Sequence, residues 1–216
     1  MKPVSYSGLS LYQKCPSAFY RRYIANEDVI KGESSPAAMR GSALHKAVEE
    51  FLLGADELPD ELEFYEEFFT NLRENQTLRP EAKWQFSHEW EELPFGSQDG
   101  MIRGIMDAAL QNGDSAYVYE FKTGKVYAEH MLQRALYGLA GLLLFPMAKE
   151  CTVFTMYLDH HQHEVSTYEA SSIKAYQWMW KQRAEEVWGN EHYPEKPSWK
   201  CKYCPYSQSR GGTCPN

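Results

Sequence analysis

No continuous apolar segment occurs within Met1 to Ser10, and no apolar run anywhere in the 216 residues is long enough to cross a bilayer. The longest, residues 138–148, is short and contains Pro146. These two absences lead to the expectation of an intracellular, cytoplasmic chain with no membrane partner. Internal repeats and low-complexity segments are also missing, which sets aside repeat and fibrous architectures. Positive charge is scarce. Lys and Arg number 22 against 30 Asp and Glu, and the net charge of −8 argues against a strong, non-specific coat on nucleic acid.

What is present falls into three stretches. At 216 residues and 43% hydrophobic side chains, the chain is sized for a single domain with modest additions, and its order of helices and strands reads as α/β. Residues 1–80 read as helical, with short helices over 7–14 and 17–24, the second begun by Pro16. A Gly/Ser/Pro loop over 32–36 leads into an amphipathic helix over 37–53, and another carries Leu62, Tyr65, Phe69 and Leu72. Residues 81–170 read as the core, with strands near 83–90, 101–110 and 115–122 and a hairpin loop over 94–100. A helix over 127–144 follows, then strands over 152–158 and 164–168 joined by a turn. Residues 171–216 give a last helix, 173–188, with Tyr176, Trp180 and Val187 inward, and a tail bearing three cysteines.

The residues that carry chemistry lie between 107 and 137. Asp107 closes one strand-like run, Glu120 and Lys122 close the next, and Gln133 and Tyr137 follow on one helical face. Strand alternation sends Glu120 and Lys122 to the same side and Phe121 to the other. Two carboxylates and an ammonium at neighbouring strand ends can hold a divalent cation against a phosphodiester. Mg²⁺ or Mn²⁺ suits such a site, since these ions prefer oxygen donors, acidify water and act as Lewis acids. The carbonyl of Phe121 is a further candidate ligand. As an isolated motif, Glu-x-Lys is usually a solvated charge pair. Here it interrupts an aromatic and β-branched run, Tyr117 to Phe121, where an unpaired charge is costly. The amide of Gln133 and the phenol of Tyr137 can position a phosphate, a base or a water. Their bland reading is a polar stripe beside Leu132, Leu136, Leu139 and Leu143.

Taken together, Gly104-x-x-Asp107, Glu120-x-Lys122 and Gln133-x-x-x-Tyr137 resemble the PD-(D/E)XK nuclease superfamily, and within it the RecB-like exonuclease branch. Gly41-Ser42-Ala43-Leu44-His45 resembles that branch's histidine motif and falls on the amphipathic helix of Leu44, Ala47, Val48, Phe51 and Leu52. The resemblance implies a restriction-endonuclease-like αβββαβ core with a mixed sheet, N-terminal helical additions and a C-terminal cysteine-bearing tail. It further implies that His45, Asp107 and Glu120 bind the metal and that Lys122 assists the water. Gln133 and Tyr137 become accessory catalytic or DNA-contacting residues. Met106 stands where the superfamily's eponymous proline would.

Cys15 lies in Gln13-Lys14-Cys15-Pro16, while Cys201, Cys204 and Cys214 lie in the tail. Four such thiolates suit tetrahedral Zn²⁺, and without a ferredoxin-like cysteine run local spacing does not select iron–sulfur over zinc. The layout, with Ser7-Gly8-Leu9-Ser10-x-Tyr12 before Cys15, is similar to the iron–sulfur RecB-like exonucleases, including the CRISPR-adaptation family and helicase–nuclease subunits. That resemblance implies a 4Fe–4S cluster on Cys15, Cys201, Cys204 and Cys214. Cys151 reads as a buried free thiol.

The expectation is therefore a Mg²⁺- or Mn²⁺-dependent deoxyribonuclease, an exonuclease on DNA ends or single strands, with 5′→3′ polarity favoured by resemblance. Repair, recombination or foreign-DNA processing would be its setting, and a helicase, recombinase or other DNA-processing protein its partner. The alternatives are a non-catalytic nucleic-acid-binding subunit with structural zinc, and an endonuclease on the same core. Tyr20-Arg21-Arg22-Tyr23 and the tail residues Lys196, Lys200, Lys202 and Arg210 are candidate DNA contacts. Asp159-His160-His161-x-His163 falls at the expected hairpin turn and reads as polar turn chemistry. Glu81, His88 and Glu89 are lesser candidates for the cleft.

Overall fold

The computed structural model describes residues 2–28 and 35–216, so most of the loop expected over 32–36 lies outside the described residues. The chain begins with two helices, α1 (Tyr6–Lys14), capped by the Ser5 hydroxyl, and α2 (Pro16–Phe19), opened by a proline at its first turn. The helix expected to continue to residue 24 widens instead. Over Tyr20–Ile24 the turns are π-helical, and the Ala25 amide reaches back five residues to the Tyr20 carbonyl at 2.9 Å. Helix α3 (Pro36–Leu52) has Ser35 as its cap and a proline in its first turn, and α4 (Glu66–Arg73) follows a short helical turn over Asp60–Tyr65.

Among the described residues, five strands form one mixed sheet in chain order: β1 (Arg79–Phe86), β2 (Ile102–Asn112), β3 (Ser115–Lys122), β4 (Glu150–Tyr157) and β5 (Gln162–Glu169). Neighbours are antiparallel except β3 and β4, which run parallel because α5 (His130–Leu144) returns the chain across one face. Helix α6 (Ile173–Gly189) packs on that same side. The architecture is α/β, consistent with a restriction-endonuclease-like core.

The strand expected near 83–90 begins and ends four residues earlier. The Ser87 hydroxyl accepts from the amides of Glu89 and Glu91, and the Trp90 amide bonds the Ser87 carbonyl at 3.1 Å, so a turn replaces the strand there. His88 and Glu89 consequently sit in that turn and not on the first strand.

Two apolar layers flank the sheet. Ala116, Val118, Cys151 and Val153 pack with α5 and α6, while Tyr119, Phe121 and Met156 pack with α3 and α4. Cys151 is fully buried, with a free thiol. Helix α5 comes near the sheet because two positions on its sheet-facing side lack side chains. A Cβ on Gly138 would lie 2.1 Å from the Tyr168 ring, and one on Gly141 would lie 2.5 Å from Cys151 Sγ. That approach fixes where the polar face of α5 points. Within the described residues, no helix is long and apolar enough to cross a membrane.

Candidate active site

The β2–β3 hairpin turns at Gly113, and its ladder ends with Ala108 opposite Tyr119. Beyond that pair the strands no longer bond each other directly. The Asp107 carboxylate fills the gap, its Oδ2 accepting from the Phe121 amide at 2.6 Å. Its Oδ1 lies 3.5 Å from Nδ1 of His45, carried by α3. Phe121 itself turns its ring into the layer below, against Phe69.

On the α5 side of the same opening, Glu120 is buried. Its Oε1 accepts from Lys122 Nζ at 2.5 Å and from Gln133 Nε2 at 2.8 Å. Gln133 Nε2 also lies 3.1 Å from the Tyr137 phenol oxygen, and that phenol donates to the Ile105 carbonyl at 2.7 Å. One hydrogen-bonded path thus links β3, α5 and β2. The other carboxylate oxygen, Glu120 Oε2, is buried with no hydrogen-bond partner. Leaving such an acceptor dry costs about 1–3 kcal/mol, more when it is charged.

Burial, and after it the close approach of like charge, sets the electrostatics. Burial, then the nearby Asp107, push Glu120 up to about 7, against the opposing pull of Lys122 and His45. Hydrogen bonding to Asp107 raises His45 despite its burial, and burial with Asp107 and Glu49 raises Glu81. Burial and the Glu120 charge hold the Tyr137 phenol well above its usual range, so it remains a donor.

An open cleft of about 700 Å³ runs past this centre, lined by His45, Glu49, Glu81, Lys122, Lys125 and His130 among others. A second hollow of about 410 Å³ shares Lys122 and His130 and adds Tyr6, Lys14, Arg22 and Tyr23. Half of the basic patch, Arg22 and Tyr23, therefore lines this hollow. Arg21 does not; it pairs with Glu27 at 2.9 Å and with Thr213.

The structure thus brings His45 to Asp107, Phe121 to Asp107, and Lys122, Gln133 and Tyr137 to Glu120. Among the described residues, no group of three or more His, Cys, Asp and Glu side chains stands ready to hold a metal ion. The donor chemistry nevertheless fits a hard divalent cation. Two carboxylates repel each other at a buried strand end, and one keeps an unsatisfied oxygen.

Cys15, Cys204 and Cys214 pack into a small cluster with Ala18 and Tyr206. Cys201 lies outside that cluster, its Sγ accepting from the Ser198 amide at 3.3 Å. The tail returns to the N-terminal helices through Ser17 to the Pro194 carbonyl (3.1 Å) and Lys196 to the Gln13 carbonyl (3.0 Å). The histidine-rich turn serves structure: Asp159 accepts two hydrogen bonds from Arg40, each 2.9 Å, and His161 packs on Phe64.

One cleft residue went unmarked by the motifs. His130 stands three residues before Gln133 and seven before Tyr137, which puts all three on one face of α5, and that spacing was its only signal.

A family model described as the PD-(D/E)XK nuclease superfamily matches residues 3–209. No curated protein matches the sequence. A solved structure titled "Crystal structure of SSO0001" superposes with a TM-score of 0.56 at 18% identity, covering 95% of this chain and 84% of that one. At that identity the likeness concerns the fold alone.

Proposed function

The chain belongs to the PD-(D/E)XK nuclease superfamily, and from that premise we propose that it is a Mg²⁺- or Mn²⁺-dependent DNA exonuclease acting on ends or single strands. The observation that carries the reading is the buried, unpartnered Oε2 of Glu120 beside Asp107, with Lys122 on the same carboxylate. His45, Asp107, Glu120 and the Phe121 carbonyl would hold the ion, which supplies Lewis acidity and an acidified water when bound. Lys122 lines the cleft as an ammonium and offers its remaining hydrogens to the phosphate or the attacking water. Gln133 holds the Glu120 carboxylate in place, and Tyr137 anchors that amide to β2. Tyr6, Arg22 and Tyr23 give the strand a cationic, aromatic path.

We further assign Cys15, Cys201, Cys204 and Cys214 to a 4Fe–4S cluster, with zinc as the competing occupant. Three of these cysteines already pack together, and the fourth lies three residues before Cys204. Polarity of 5′→3′, a place in repair, recombination or foreign-DNA processing, a helicase or recombinase partner and a cytoplasmic location complete the reading; these rest on resemblance and composition.

End-labelled single- and double-stranded DNA incubated with Mg²⁺ or Mn²⁺, with and without chelator, tests the activity. Shortening from ends that stops with chelator is expected. Equal cleavage by Glu120→Ala would refute the site, and discrete cuts on circular DNA would make the protein an endonuclease. A second reading draws on the net charge of −8: a non-catalytic subunit that binds DNA without cutting it. Binding with no cleavage under either ion would favour it. Anaerobic purification separates a brown protein with iron and sulfide from a colourless zinc protein.

A further inference from the structure

A hydrogen-bonded chain leads away from the cleft that the roles assigned above leave unused. His130 opens α5 and lines the cleft with Lys122 and His45. Its Nδ1 lies 2.7 Å from the phenol oxygen of Tyr157, and the two rings stack with centroids 5.7 Å apart at 25°. That phenol donates to Glu164 Oε2 at 3.0 Å, and Arg134 donates to the same oxygen at 2.7 Å. Arg134 is itself buried and tied to Thr155 (3.3 Å) and Ser166 (3.1 Å). The chain therefore runs from α5 through β4 to β5.

The proton count along this chain is fixed. Burial and the Glu164 hydrogen bond push the Tyr157 phenol up to about 12, so it carries its single proton at neutral pH. That proton goes to the Glu164 carboxylate. The phenol oxygen can then only accept from His130, which makes Nδ1 the protonated nitrogen and leaves Nε2 with a bare lone pair.

Hydrolysis of a phosphodiester needs a group to take the proton of the attacking water. Lys122 is already engaged, donating to the Glu120 carboxylate at 2.5 Å. His45 faces Asp107 at 3.5 Å and is already assigned to the ion. His130 differs. Burial, then Lys122 on β3, hold its imidazole below the usual histidine value, with Arg134 on α5 acting in the same direction. Glu129 beside it and Glu164 on β5 oppose that shift without reversing it. Tyr127, before α5, packs edge-on against the ring and adds no charge.

We propose that His130 Nε2 accepts the proton of the water that attacks the DNA phosphate, with Tyr157, Glu164 and Arg134 as positioning residues that fix the imidazole. The proposal rests on the nuclease reading. The water oxygen forms the new bond to phosphorus while the ester P–O bond breaks, its electron pair staying on the leaving oxygen. The water's proton moves to Nε2, and the imidazolium is stabilised through the phenol by the Glu164 carboxylate. The leaving oxygen takes a proton from solvent, and His130 releases its own to solvent.

The test has an arm that needs no turnover. In metal-free protein labelled with ¹⁵N at histidine, His130 is expected as the Nδ1–H tautomer at neutral pH, and Tyr157→Phe is expected to mix the tautomers. An Nε2–H tautomer in the parent protein overturns the proposal. In cleavage assays, His130→Gln is expected to lower kcat about 100-fold and to remove the acid limb of the pH–rate profile, with DNA affinity in chelator unchanged. Tyr157→Phe, which keeps the ring stack, is expected to lower kcat about 10-fold and to move that limb. Parent-like kcat and an unmoved limb in His130→Gln sink this assignment alone. If that variant does not fold, the parent tautomer and Tyr157→Phe decide. A parent protein that cuts no DNA with either ion sinks the nuclease reading and this assignment with it.

Discussion

At the cleft, Glu120, Gln133 and Tyr137 sit on a strand and a helix whose positions are set by a full sheet ladder and by the close approach at Gly138 and Gly141. At the cysteine end, Cys201, Cys204 and Cys214 sit on short turns after the last long helix, with a small apolar cluster beneath them. The first region holds charge in place against its own repulsion; the second has little of its own to hold it in place. A rigid scaffold can tolerate a buried carboxylate oxygen without a partner, because the neighbouring elements hold it in position. Short turns with few buried contacts gain their order from whatever links them. Losing a proposed ligand should therefore cost chemistry at the cleft and stability at the cysteine tail.

The sharpest way to break that contrast is at Asp107. Asp107→Asn keeps an acceptor for the Phe121 amide but removes a charge, so cleavage is expected to fall about 1,000-fold or more with far-ultraviolet circular dichroism unchanged. Loss of fold along with activity would erase the distinction. Next in size is Cys204→Ser. On the cluster assignment proposed above, removing this cysteine forfeits about 4 kcal/mol of linkage stabilisation, so melting should drop by about 10 °C and any iron carried by the parent protein should be lost. An unchanged melting temperature would show that the cysteine end stands alone.

Gly138→Ala probes the cleft scaffold itself. The new methyl meets the Tyr168 ring, and urea unfolding should register a loss of about 1–3 kcal/mol. No loss would mean that α5 is not placed by close contact. The smallest effect is a gain. The Glu120 carboxyl is raised to about 7 in the folded chain against about 4.3 unfolded, so its destabilisation is absent below the lower value and complete above the upper one. Glu120→Gln in metal-free protein should therefore melt higher at pH 8, by about 2–4 °C once loss of the Lys122 ion pair is set against the gain, with the difference vanishing toward pH 4. A variant that melts lower at pH 8 would deny that burial and Asp107 strain this carboxylate.

Much of this was legible in the sequence. Alternation in Tyr117 to Lys122 gave β3 its bounds and its two faces, and the apolar spacing in α3 and α6 gave those helices. The first strand was misplaced because side-chain caps at Ser87 are local hydrogen bonds that apolar patterning does not report. The π-helical turn at Tyr20–Ile24 escaped for a similar reason: residue types there suit an α-helix equally well. In the site, paired motifs marked Asp107, Glu120, Lys122, Gln133 and Tyr137. They could not mark His130, whose partners Tyr157 and Glu164 lie on strands 27 and 34 positions away. Nor could they reveal that Arg40 would occupy Asp159 and make the histidine turn structural.

The central claim is that His45, Asp107 and Glu120 answer to one divalent cation. Titrating Mn²⁺ into the protein while following the free-ion signal by electron paramagnetic resonance tests it most directly. One site in the parent protein, lost on Asp107→Asn and on Glu120→Gln and weakened on His45→Ala, is the expected result. Variants that bind Mn²⁺ as tightly as the parent would contradict it.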